Sequence, residues 1–182
     1  MDKPRSARQK TLRSAVRIRG IGLHSGAPVR MVLRPAAIDF GIRFRRSDEK
    51  VEIAATWRNL VPSPLCSTLA NAEASVATVE HLMAAFAGLG LDNVLVDLDG
   101  PEVPAMDGSA APFVFLIENA GFREQDAPRR AIEVLKPVRV EADGASALME
   151  PADEFSVGFV IDFAAGAINR QALEVAVEPQ SF

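Results

Sequence analysis

The chain has 182 residues, of which 48% are hydrophobic and 24% charged, a balance that builds an ordinary folded core in one or two domains and excludes disordered and fibrous classes. Its apolar stretches are broken by Glu80, Asp92 or Glu118 before they reach bilayer length, so no transmembrane helix is expected. Net charge is only −4, but residues 1 to 46 carry 12 of the 20 lysines and arginines, a segment that can attract an anionic ligand, a membrane surface or nucleic acid and is first expected to alternate along strands and pair with the acidic remainder.

The basic opening, MDKPRSARQKTLRS, lacks the apolar run and cleavage site of a secretory signal. A single cysteine, Cys66, cannot form an internal disulfide and fits a reducing compartment. Nucleic acid is disfavoured because no aromatics are interleaved with the bases and tyrosine is absent.

In chain order, Gly20, Gly22 and Gly26 make RIRGIGLHSGAPV a tight, loop-rich stretch whose glycine spacing is not that of a dinucleotide fingerprint. Val29, Met31 and Leu33 alternate with arginines, as do Ile42 and Phe44, which predicts two strands joined by the turn PAAIDFG. Val79, Leu82, Met83 and Phe86 recur at helical spacing, with Gly88 or Gly90 as terminator; this puts Glu80 and His81 off the apolar face. NVLVDL then reads as a strand and PEVPAMDGS as a loop.

APFVFLIENAGF predicts a second helix, capped by Asp107 or Ser109 and ended by Gly121, with the run Phe113 to Ile117 implying burial on most sides. The polar segment 124–130, EQDAPRR, marks a boundary between a first domain over 1–123 and a second over 131–182. The second shows only strand-like pieces, leaving its sheet without a helical layer to cover it. VLRPAAIDFGIRF and LMEPADEFSVGFVIDF echo each other as strand, Pro-Ala turn and strand, a sign of either two copies of one domain plan or chance.

Glu80 beside His81 offers half of a hydrolytic arrangement: an imidazole to bind a metal and a carboxylate to take a proton from metal-bound water. The alternative is a solvated, dipole-favoured glutamate at a helix start. His24, in GIGLHSG, either meets an anionic substrate or hydrogen-bonds within its turn. Cys66 reads as a small buried residue before it reads as a nucleophile, and Asp107 as a cap or turn former.

Taken in order, GIGLHSG, RPAAIDFGIRFRR, TVEHLMAAFAGLGLDN and PEVPAMDGSAAPFV resemble the bacterial UDP-3-O-acyl-N-acetylglucosamine deacetylases, a likeness running from about Gln9 to the end of the chain. The resemblance implies a fold of the α/β (α+β) class: a two-layer sandwich of mixed sheet and helices, followed by a strand-rich, incomplete second domain of the same plan. It also implies a cytoplasmic, zinc-dependent amidohydrolase of lipid A biosynthesis that takes acetate from a UDP-linked acylated glucosamine.

By this likeness Glu80 matches the general base and His81 a zinc ligand, while Leu65 and Cys66 match a segment beside the substrate and His24 lies in a loop near the site. The family draws its remaining zinc ligands, a histidine and an aspartate, from a helix of the second domain that this sequence does not contain. The expectation is therefore family chemistry without turnover by this chain alone. The competing readings are a non-catalytic module that binds the nucleotide sugar or a full-length enzyme, and a minimal site built from His24, His81 and carboxylates. The uncovered second sheet also suggests self-association.

Overall fold

The computed structural model describes residues 8–177; the basic residues 1–7 and the terminal EPQSF lie outside them. The chain divides into two compact units between Arg129 and Arg130.

In the first unit, strands β1 (Arg8–Leu12), β2 (Val16–Ile21), β3 (Pro28–Pro35), β4 (Ile42–Arg46) and β5 (Val51–Ala54) come first. A short 3-10 turn (Trp57–Asn59) leads to β6 (Leu60–Val61), β7 (Thr68–Ala70) and β8 (Ser75–Val76). Helix α1 (Glu80–Leu89), strand β9 (Val94–Leu98), helix α2 (Ala111–Ala120) and strand β10 (Phe122–Pro128) complete it.

The main sheet has the order β2-β3-β9-β4-β5, antiparallel except for the β4–β9 pair. Its register lines up Val16, Leu33, Val96, Phe44 and Ile53 in one row across the strands, and all five are buried. The row exists because alternation puts every second residue of each strand on one face. Leu82, Ala85 and Phe86 of α1 and Phe113 and Ile117 of α2 join the same core, so the helices form a second layer on that face. The α+β class expected from the sequence is the architecture observed.

On the opposite face the arginines find acids. Asp97 of β9 accepts from Arg34 and Arg45, with one Arg45 Nη2 bond at 2.8 Å; Arg46, two residues after Phe44 and buried on that same side, holds Asp48 and Glu49. Although burial pushes the Asp97 pKa up, the two guanidiniums outweigh it and hold the group below its ordinary value. Arg34 and Arg45 of the basic stretch are thus tied to an acid of their own sheet.

Three expectations need correction. Strands β3 and β4 are not a hairpin, because β9 lies between them. The division into two units falls inside segment 124–130, but residues 124–128 belong to strand β10, paired antiparallel with β1. Its polar side chains are satisfied inside the unit: Asn93 Nδ2 donates to Gln125 Oε1 at 2.8 Å and Gln125 Nε2 to the Ala36 carbonyl at 2.9 Å. Arg129 donates to Asp92 at 2.8 Å. Finally, α2 buries Phe113 and Ile117 but leaves Phe115 66% exposed, so it is one-sided. Its N-cap position is Ala110, which has no capping side chain, but the Ser109 hydroxyl accepts from the Ala111 N–H at 3.2 Å, and Gly121 ends the helix at φ 74°.

The second unit contains two antiparallel hairpins, β11 (Val138–Ala142) with β12 (Ala145–Met149) and β13 (Ser156–Asp162) with β14 (Arg170–Ala176), and no helix among its described residues. As β3 and β4 do in the first unit, β12 and β13 belong to separate pairings. None of its described residues is buried; Phe155, Phe159 and Leu173 are each about two-thirds exposed. Among its described residues this unit supplies no helix to cover the apolar positions of these strands.

Candidate active site

Helix α1 begins abruptly. Thr78, just ahead of it, takes the left-handed conformation at φ 57°, costly for a β-branched residue, and Val79 starts the helix with its carbonyl accepting from Met83 N–H at 2.9 Å. At the far end Gly90, at φ 67°, closes the helix with Leu91 N–H donating back to the Phe86 carbonyl.

Glu80 occupies the first turn and is exposed. Its Oε2 accepts from the Ser67 N–H at 3.0 Å, and the Ser67 carbonyl accepts from Val79 N–H at 3.3 Å, so Ser67 clasps the helix start from outside. The carboxylate keeps lone pairs free for a proton from solvent.

His81 departs from expectation: it is buried, at 8% exposure, not turned away from the core. The reason is α2, whose Phe113 meets the imidazole edge-on with ring centres 5.0 Å apart. Its Nε2 lies 2.9 Å from the Pro104 carbonyl. A carbonyl only accepts, so this nitrogen is the donor, and a lone pair for a ligand would have to come from Nδ1.

Glu80 and His81 line a recess of about 90 Å³ with Leu23, Thr78, Ala105 and Gly108. An adjoining groove of about 780 Å³ shares Leu23 and Ala105 with it and is lined further by Ile21, Met106, Asp107 and Pro112. Ile21 and Leu23 are more than half exposed along it. The site is thus a carboxylate and an imidazole beside an open, mainly apolar channel.

The remaining candidates stand at its margins. The His24 side chain is exposed and is not part of the recess; its backbone N–H donates to Glu102 Oε1 at 2.9 Å. Leu65 is 78% exposed. Cys66 is half-buried, its Sγ 3.3 Å from Ser63 Oγ, and this bond together with Thr68 holds the thiol pKa below its ordinary value. Both residues directly precede Ser67, which touches Glu80, but neither lines the recess. Asp107 forms a turn, accepting from the Ser109 N–H and hydroxyl at 2.9 Å each, which lowers its pKa.

Sequence reasoning passed over Glu102. It is 3% exposed, with a pKa of about 2, because hydrogen bonds from His24, Ser25 and Thr78 outweigh the burial that would raise it. Lying between two prolines in a loop, it carries no local signal of burial.

A model of the UDP-3-O-acyl N-acetylglycosamine deacetylase family matches residues 9–182. The chain belongs to this family. It is 49% identical over 179 residues to the UDP-3-O-acyl-N-acetylglucosamine deacetylase of Nitrosococcus oceani, an alignment covering 96% of this chain and 59% of that protein. The corresponding protein of Methylococcus capsulatus is 46% identical over 173 residues, covering 94% and 57%. That of Thioalkalivibrio sulfidiphilus is 51% identical over 158 residues, covering 86% and 52%. The chain therefore spans little more than half the length of the curated relatives it matches.

Proposed function

We propose that this chain supplies the Glu80–His81 part of a zinc-dependent deacetylase site acting on UDP-3-O-acyl-N-acetylglucosamine in bacterial lipid A biosynthesis, a cytoplasmic reaction. The observation that carries the reading is the adjacency of Glu80 and His81 in one recess, with an apolar groove beside it, in a member of this deacetylase family. In this reading Glu80 would be the proton acceptor and His81 would hold the metal through Nδ1, while the Pro104 carbonyl, accepting from the opposite nitrogen, sets the ring's orientation. Leu65 and Cys66, next to the Ser67 clasp, and the His24 loop flank the bound sugar nucleotide.

Zinc in such a site lowers the pKa of its bound water toward neutrality. A hydrolytic zinc takes three protein ligands, and no group of three His, Cys, Asp or Glu able to hold a metal exists among the described residues. The described residues therefore do not fit a catalytic zinc on their own. The consequence is a chain with the proton acceptor and one imidazole of the family's chemistry but without independent turnover. Incubation of the purified chain with one equivalent of zinc and the UDP-linked substrate tests this. No acetate release is expected, and turnover above the zinc-only control would overturn it.

The same ligand count favours a second reading, a module that binds the nucleotide sugar without metal. Calorimetry in excess chelator separates the two: saturable binding of the UDP-sugar that survives chelation supports the module.

A further inference from the structure

Residues 101–105 run between the two parts of the chain that frame the recess. On one side Ala77 N–H donates to the Pro101 carbonyl at 2.8 Å and Val103 N–H to the Ala77 carbonyl at 3.1 Å. On the other, Ala105 N–H donates to the Ile21 carbonyl at 2.9 Å, and Gly22 bridges to Pro104. In the middle sits the Glu102 carboxylate. Its Oε1 accepts from His24 N–H at 2.9 Å and from the Thr78 hydroxyl at 3.0 Å, while Oε2 accepts from Ser25 N–H at 2.9 Å.

The bonds come from neutral N–H and O–H groups on two separate elements, the glycine-rich loop and the turn that launches α1. A buried anion so bound pulls both elements onto one point, and hydrogen bonds to a charged acceptor are stronger than neutral ones. Space is shaped for it: a Cβ on Gly22 would collide with the Glu102 carboxylate and the Ser25 hydroxyl. Thr78, the residue it holds by the hydroxyl, is the one in the costly left-handed conformation, two residues before Glu80. Strain at that point persists only where surrounding structure over-determines it.

We propose that Glu102 is a positioning residue: one buried carboxylate that ties the His24 loop to the Thr78 turn and so sets the placement of Glu80 and His81 relative to the loop that faces them. It acts through Thr78 and the loop backbone, not on substrate. Its functional meaning rests on the catalytic reading of Glu80 and His81 given above; the linkage itself does not.

The test uses the full chain, with Glu102→Gln, Glu102→Asp and Thr78→Ala, read by amide exchange and by the imidazole signals, of which there are two sets because the chain has two histidines. In E102Q the His24 and Ser25 amides exchange at least about tenfold faster relative to Val96 in the sheet, and the ring signals of both His24 and His81 move. E102D, which keeps the charge, recovers part of both effects. T78A shifts the His81 signal but leaves the loop amides protected, and it decides the matter if E102Q does not fold. Acceleration spread equally through Val96, or an unmoved His81 signal in both E102Q and T78A, overturns the proposal. None of these readouts uses deacetylation, so a failed catalytic assignment and a failed linkage are told apart.

Discussion

Replacing Glu102 by glutamine keeps the shape and removes the charge, and the cost depends on pH in a way that follows from the geometry. Folding lowers the carboxyl pKa from 4.5 to about 2. A group depressed on folding contributes stability that is fully present above its unfolded pKa and lost as pH falls through its folded one. The contribution is ~3 kcal/mol at pH 7, and ~1.5 kcal/mol remains at pH 3. Because the residue is almost wholly buried, solvent screening removes little of this. Urea unfolding followed by circular dichroism, on wild type and E102Q at pH 7 and pH 3, reads the difference directly, since carboxylates common to both proteins cancel. The gap between the two proteins should narrow by about half on acidification. A gap that is unchanged, or that widens toward pH 3, would refute the argument.

Phe44→Ala removes the aromatic from the middle of the buried cross-strand row, where it stands opposite Val96 and Ile53, and should cost ~3–5 kcal/mol in the same unfolding assay. Gly22→Ala, which puts a methyl group into the Glu102 carboxylate, should destabilise the loop and speed exchange at the His24 amide, whereas Gly26→Ala, with open space around its Cβ, should pay only the cost of its left-handed backbone at φ 62°. The uncovered strands of the second unit, with Phe155, Phe159 and Leu173 exposed, should make the chain self-associate. Sedimentation velocity across a concentration series should show growing species that Phe159→Lys suppresses; a monodisperse monomer at high concentration would contradict this.

What could be read from the sequence was whatever depends on local periodicity. The apolar spacing of Val79, Leu82, Met83 and Phe86 and the glycine at position 90 mark α1, and the structure has it at Glu80–Leu89. The alternation around Met31 and Phe44 likewise marks two strands that are present. Partnership at a distance was not readable. That β9 inserts between β3 and β4 follows from pairing across more than 45 residues, which no window along the chain contains. His81 is buried because Phe113, on another helix, closes over it. The segment after Phe122 is strand although it looks like a linker, because Asn93 and Ala36 supply partners for Gln125. Adjacency of Glu80 and His81 was visible at once; the clasp by Ser67 and the anchoring by Glu102 needed the fold.

The proposal turns on ligand number: among the described residues no three-residue metal group accompanies the imidazole at position 81, and a hydrolytic zinc takes three protein ligands. Zinc bound per chain, measured after dialysis against metal-free buffer on wild type and His81→Ala, tests it most directly. The account predicts well under one equivalent retained by wild type, with no acetate released from the UDP-linked substrate. One tightly held zinc per chain, lost in His81→Ala and accompanied by turnover, would contradict it.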